Sequence, residues 1–372
     1  MPPIPNAPLE ALAQRFVRFA DQECGAYAPL YDRLARGIAG DPELLTIAAH
    51  ARSGQQAPLL LLAAVHSLLL DGTNHALGAF YPSVTHHTAG PPGDPLPAFR
   101  AFCRDHRDDL IKLVSTGLVQ TNEPRRCTVL LPAFATVARL AGGRPLALIE
   151  VGASAGLNLL FDRYGYDYGS GRSVGDLSAP IQFTCALRGA MLPPIHAELP
   201  RVATRVGIDL HPIRTDDIQA TRWLRALVWP EHPERAAVLQ QGLALAQREP
   251  PTLLAGDALT VLPQAVAAAP AEAALCVFHI ATLAHFPPEA RERFRVLISE
   301  LARQRDLFWL SSEGVGLGER RQRFAYVTIL TAFHHDSRVE RRLAYNHQHG
   351  AWLEWLDSGD EGMSGARDTE LW

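Results

Sequence analysis

The sequence predicts an α/β protein: a doubly wound, mostly parallel sheet preceded by an all-helical domain. Three observations predict it. Residues 9–140 carry apolar residues at three- and four-residue spacing and nothing that alternates like a strand. From Leu146 onward, short apolar runs alternate with helical stretches. The change falls at Gly142-Gly143-Arg144-Pro145, a linker by composition. The predicted domains are therefore 1–144 and 145–372, the first expected on the substrate side of the second.

In the first part, helices are predicted over 9–20 and 31–39. Asp41-Pro42-Glu43 supplies an N-cap, a proline at the first helical position and an early acid. Pro58 opens LLLLAAVHSLLL, apolar on every side and so a buried helix, which Asp71-Gly72 ends. Residues 82–96 read as a loop, and two further helices are expected around 96–116 and 124–141. Between these two lies the polar run Gln120 through Arg126. It reads first as a capped turn. Placed against a crevice, Asn122, Glu123 and Arg125 would instead bind a polar substrate. His66, Trp223 and Trp229 read as packing, or as parts of a lid.

In the second part, strands are expected at 146–151, 202–208, 252–255, 274–281, 306–311 and 325–333. Helices are expected at LNLLFDRY and near 214–247, 258–268 and 287–304. Residues 164–200, rich in Gly, Pro and Tyr, form an insertion at the sheet's rim. The segment after YVTILTAF reads as the second strand of an antiparallel terminal hairpin.

Composition narrows the function. With 372 residues, 47% hydrophobic and 20% charged, the chain can bury a core and is neither disordered nor fibrous. A net charge of −4 argues against a general nucleic-acid or anionic-membrane binder. The five cysteines are dispersed, with no Cys-x-x-Cys pair, which fits reduced thiols in a cytoplasm. No signal peptide or spanning segment is read. His334-His335 and His347-Gln348-His349 lack a third anchored ligand, so no metal is expected.

The sharpest motif is Glu150-Val151-Gly152-Ala153-Ser154-Ala155-Gly156-Leu157-Asn158, an apolar strand ending in an acid and then a small-residue turn. Such a turn lets a ligand approach the backbone and offers unpaired N–H groups at a helix start. It resembles the first motif of Rossmann-like methyltransferases that use S-adenosylmethionine (SAM). Glu150 holds the acidic place, Gly152 and Gly156 the outer glycines, and Ser154 replaces the middle one. The same residues spell G-x-S-x-G, a nucleophile elbow with Ser154 as nucleophile. A nicotinamide site fits poorly, because Ser154 and Leu157 stand where glycines are needed. A tight turn without ligand is the fourth reading. If the ligand lies over the loop, a valine at Gly152 or Gly156 would fill its space.

The methyltransferase resemblance implies further residues. Asp209, closing VATRVGIDL, would bond the ribose hydroxyls, although its distance from Glu150 requires the 164–200 insertion; it also suits a turn cap. Asp257 in Gly256-Asp257-Ala258 would lie beside the adenine, with Ala258 next to it; it also suits a helix N-cap. His279, at the end of its strand, would serve as a base or substrate contact or as a satisfied core residue. His285 and Glu313 stand on the same expected rim. The runs QQAPLLLLAAVHSLLLDG, VQTNEPRRC, LIEVGASAGLNLLFDRYGYDYG, WLRALVWPEHPER and GDAL resemble a bacterial family known only as a domain of unknown function. The expected function is SAM-dependent methyl transfer to a small molecule. A hydrolase using Ser154 and a non-catalytic nucleotide-binding protein are the alternatives.

Overall fold

The computed structural model describes residues 6–85, 91–314, 325–334 and 337–357. It is a mixed α/β protein with one large, parallel-rich sheet. The chain forms two compact units, 1–121 with 216–240 and 122–215 with 241–372. The division thus falls at 121/122 rather than at 144/145, and a later segment joins the first unit.

The first unit is helical among its described residues. Its core holds Phe16, Tyr31, Leu34, Phe99 and Phe102. Asp41 caps its helix as expected, accepting from the N–H groups of Glu43 and Leu44 at 3.0 and 3.3 Å. Helix Ala57–Leu70 is buried almost all round. The expected 96–116 helix is two, Leu96–Asp105 and Arg107–Thr116, because His106 leaves helical geometry (φ −115°, ψ 27°). The 82–96 segment includes a short helix, Pro82–Thr85.

The expected 214–247 helix is also two, Ile218–Ala226 and Pro233–Arg248, interrupted by Trp229-Pro230-Glu231-His232. This interruption anchors 216–240 in the first unit. Trp229 packs against Phe19, Tyr27 and Tyr31 at centroid distances of 5.6, 5.7 and 5.6 Å. Glu231 accepts the Leu30 N–H, and burial lifts its carboxyl to about 7. His66 Nδ1 meets Ala226 O at 3.0 Å, and Trp223 Nε1 donates to Leu118 O at 2.9 Å. These three residues are packing groups.

The second unit holds the strands β1 (Leu146–Val151), β2 (Gly165–Asp167), β3 (Ser173–Gly175), β4 (Gln182–Thr184), β5 (Ala186–Arg188), β6 (Val202–Asp209), β7 (Thr252–Ala255), β8 (Ala274–Ile280), β9 (Leu307–Gly314), β10 (Ala325–His334), β11 (Ser337–His347) and β12 (Trp352–Trp355). The main sheet runs β5-β12-β11-β10-β9-β8-β1-β6-β7. Strands β9, β8, β1, β6 and β7 are mutually parallel; β10, β11 and β12 follow as antiparallel neighbours. The chain moves from β1 outward to β6 and β7, then returns to β8 on the other side. That reversal makes a crevice at the carboxyl ends of β1 and its neighbours. All six residues of β1 are buried.

The insertion contributes more than a rim. Strands β3, β2 and β4 make a second small sheet, and β5 pairs with β12 at the edge of the large one. Tyr164, Tyr166 and Tyr168 are buried and donate to the carbonyls of Leu157, Phe161 and Thr128. The segment Leu157–Arg163 is 3₁₀ rather than α-helical, with Leu160 out of helical geometry. The Leu157, Phe161 and Leu159 carbonyls are taken by Tyr164, Tyr166 and Arg205 instead of by a continued helical ladder.

Gly350 (φ +71°) lies where a Cβ would come within 2.1 Å of Arg125 O and 2.6 Å of Thr128 Oγ1. Gly171 (φ +75°) has nothing within 4 Å. Gly171→Ala should therefore cost about 1 kcal/mol of backbone strain. Gly350→Ala should cost roughly 3 kcal/mol, since overpacking is added to strain. Urea denaturation of both variants checks this; equal losses would show that the 347–350 turn is not tightly seated on 125–128.

Candidate functional site

The crevice is built from the loop that leaves β1. Gly152, Ser154 and Gly156 all have positive φ, +78°, +53° and +74°. The N–H groups of Gly152 and Ala153 donate to Ile208 O at 2.8 and 3.2 Å. The Ser154 N–H donates to Asp209 Oδ2 at 2.8 Å, while Asp209 Oδ1 accepts from the His211 N–H at 2.9 Å. Asp209 therefore braces the loop and closes its own turn. Each carboxylate oxygen keeps lone-pair capacity for a further donor.

The two glycines answer to protein atoms. A Cβ on Gly152 would lie 2.5 Å from Thr282 Cγ2 and Oγ1, and one on Gly156 would lie 2.6 Å from Pro251 Cγ. Valine at either position would clash with the chain itself. The expectation that it would block only a ligand does not hold.

Asp257 is exposed and caps helix Ala258–Ala268, accepting from the Leu259 N–H at 2.9 Å. Ala258 is buried beneath it. Ser154 Oγ is buried and makes no hydrogen bond to any described residue, so among the described residues no histidine is poised on it. The elbow arrangement, nucleophile bonded to base, is not assembled at Ser154.

The 122–126 run belongs to the unit of the sheet, not to the helical unit. Asn122 Oδ1 accepts the Leu157 N–H at 3.2 Å, capping the 3₁₀ segment after the loop. Arg125 donates to Thr184 O at 2.8 and 3.2 Å. Asn122 and Glu123 are buried, and Glu123 Oε2 lies 4.0 Å from His349 Nδ1. Asn122 and Arg125 thus hold backbone.

The sheet's two faces divide the remaining residues. Ala147, Ile149, Val151, Leu275 and Val277 face one apolar cluster with Phe294, Ile298 and Leu262. His279 has the same parity, and its ring contacts Phe294 and Trp309. Its Nδ1 lies 2.7 Å from Glu313 Oε1, which also accepts the N–H groups of Thr282 and Leu283 at 3.0 Å each. Burial pushes the Glu313 carboxyl up, but the bonds from His279, Leu283 and Thr282 outweigh it and hold it below the usual range. This pair pins the loop after β8, where Ala281 takes φ +56°. His285 is exposed and shares only backbone bonding with that loop.

Glu150 faces the other side. Its Oε1 accepts from Asn158 Nδ2 at 2.7 Å; its Oε2 is buried without a partner. Burial raises its carboxyl to about 8; the Asn158 bond and the charge of Arg126 oppose that rise, and Asp209 adds slightly to it. By strand parity and pairing, Ser312, Thr328 and Asn346 share this face, joined by Thr328 Oγ1 to Ser312 Oγ (3.0 Å) and Asn346 Oδ1 (2.8 Å). Arg126, Tyr326, Thr282 and this triplet escaped the sequence reading. Period-two parity along β9 and β10 was the signal that could have found the triplet.

A cavity of about 470 Å³ lies elsewhere, lined by Leu140, Arg144, Phe308, Phe333, His334 and Arg341. These stand at the amino ends of β1 and β9, away from the loop. Among the described residues no three His, Cys, Asp or Glu side chains form a metal site; His335 lies outside the described residues. All five cysteines are buried, and none forms a disulfide. Among the described residues no helix is long and apolar enough to cross a membrane.

A family model described as an uncharacterized protein conserved in bacteria (DUF2332) matches residues 13–355. No curated protein and no solved structure matches the chain.

Two outcomes follow from the carboxyls. Glu150 has a raised folded-state pKa, so its contribution is fully present below the unfolded value and is lost as pH rises through about 8. Wild type minus Glu150→Gln stability should therefore fall between pH 5 and 8 at up to ~1.4 kcal/mol per pH unit; a flat difference would place Glu150 in a wetter site. His279→Ala should cost about 2–3 kcal/mol, because it removes the imidazole partner of a buried carboxylate. A loss under ~1 kcal/mol would mean that the pair does not hold the fold.

Proposed function

We propose, for a chain that belongs to this bacterial family of uncharacterized proteins, a SAM-dependent methyltransferase acting on a small molecule. The observation that carries the reading is the order β7-β6-β1-β8-β9, with a positive-φ loop after the central strand and an acid at the carboxyl end of each of the next two, Asp209 closing β6 and Asp257 just beyond β7. A Rossmann-like core would carry such an order at its switch point, which supports the reading. The antiparallel end suits it too, although here β10 and β11 follow as a simple meander.

The residues present suit the cofactor. Asp209 retains acceptor capacity for ribose hydroxyls. Asp257 is exposed and able to accept from an adenine amino group while capping its helix. Ser154 Oγ and Glu150 Oε2 are buried polar atoms awaiting partners. SAM would supply an activated methyl group. The chain's task is then to bind, align and exclude water, which accounts for much of such a rate. His279 and Glu313, engaged with each other on the far face, are positioning residues in this scheme.

A second reading, nucleotide binding without turnover, draws on one specific observation: Asp209, Asp257 and Glu150 each already serve the chain's own hydrogen bonding. The hydrolase is disfavoured by the unengaged Ser154.

Calorimetric titration with SAM, S-adenosylhomocysteine, NAD and ATP tests the reading, with SAM and its demethylated product expected to bind. Asp257→Ser keeps a capping oxygen but loses the carboxylate. It should weaken SAM binding several-fold, about 0.5–1.5 kcal/mol, with little loss of stability. Unchanged affinity would reject the adenine assignment, and binding of NAD alone would reject the cofactor.

A further inference from the structure

On the face that carries Glu150, one cation lacks a counter-ion. Arg126 is 7% exposed. Its Nε donates to Gln348 O at 3.1 Å, and among the described residues its guanidinium makes no other side-chain hydrogen bond and no ion pair. Its two terminal nitrogens reach solvent and stay open to an acceptor from outside the chain. Glu150 is its counterpart: a buried carboxyl whose Oε2 meets no donor.

A chain of contacts links the two groups. Cys127, the residue after Arg126, places its Sγ 3.7 Å from Asn158 Oδ1, and Asn158 Nδ2 holds Glu150 Oε1 at 2.7 Å. The charge of Arg126 acts on Glu150 and on the phenol of Tyr326, which has the parity of Thr328. Yet Arg126 and Glu150 do not pair. Opposite groups that approach without touching, each short of a partner, are what a ligand bearing the complementary charges would bridge.

We propose that Arg126 and Glu150 bind the carboxylate and the ammonium of an α-amino-acid group. Arg126 offers a planar fork matched to a carboxylate, and Glu150 Oε2 accepts from the ammonium. The proposal rests in part on the cofactor reading, because the amino-acid end of SAM is one source of that group. A free amino acid, as methyl acceptor, is the other.

Full-length protein is titrated with SAM, decarboxylated SAM, 5′-methylthioadenosine, the twenty common L-amino acids and the amines lacking their carboxylates. If the group belongs to SAM, wild type should prefer SAM over decarboxylated SAM by roughly ten- to hundredfold. Arg126→Gln should abolish that preference and leave methylthioadenosine binding intact. If it belongs to a free amino acid, the same ratio should appear between one amino acid and its amine, with SAM unaffected by the substitution. Arg126→Lys, which keeps the charge, should give an intermediate ratio, and it carries the test if Arg126→Gln does not fold. A merely structural arginine would change stability and leave the ratios alone. The proposal is overturned if wild type shows neither ratio, if it binds none of these probes, or if the Arg126 variants keep the ratio. Methylthioadenosine binding without any carboxylate preference would sink this inference and leave the cofactor reading standing. An Arg126-dependent amino acid without adenosine binding would do the reverse.

Discussion

A parallel strand buried on both faces spends its polar groups on its neighbours, so the loop that leaves it must find hydrogen bonds elsewhere. The turn after β1 meets that demand from distant parts of the chain. Ile208 O takes two of its N–H groups, the Asp209 carboxylate takes a third, and Asn122 takes the one that opens the 3₁₀ segment. Ser154 is held at positive φ by this bonding, without a glycine's freedom. Everything at the carboxyl end of the sheet inherits its position from those few bonds. Thr282 sits against Gly152, and Thr282 is itself fixed by Glu313.

The sheet separates two kinds of polar group. On the His279 face, an imidazole, a carboxylate and two backbone N–H groups satisfy one another among aromatic rings. On the Glu150 face, a carboxyl oxygen lacks a donor and a guanidinium lacks an acid. A buried carboxyl oxygen is costly to leave unpaired, and that cost falls on Glu150 alone, since the terminal nitrogens of Arg126 reach solvent.

Much of this was legible in the sequence. The strand runs and the loop could be read because β1 and β8 are buried on both faces and so read as continuous apolar runs. Asp41 and Asp257 are caps whose local geometry needs only their next few residues. The rest depended on long reach. Asn122 bonds a residue 35 positions away, and Arg126 one 222 positions away, so nothing local distinguished them from a solvated turn. The Glu231 and Trp229 contacts that tie 216–240 to the helical unit span about two hundred positions. His279 is the exception: its parity with Leu275 and Val277 marks a core residue, while its place near a strand's end marks a rim residue, and both signals are local.

The electrostatics of the Glu150 face favour a zwitterion over a simple ion. Burial keeps the Glu150 carboxyl largely protonated near neutral pH, against the opposing pull of the Arg126 guanidinium. A lone carboxylate would satisfy Arg126 and leave Glu150 unanswered. A lone ammonium would draw Glu150 into its charged form but would meet Arg126 as a like charge. Only a ligand carrying both groups lets Glu150 ionise beside an ammonium while Arg126 pairs with a carboxylate, so that no net charge is added to a low-dielectric site. The same balance explains why the two side chains are kept apart. Were they in contact they would neutralise each other, and neither would be available to the ligand.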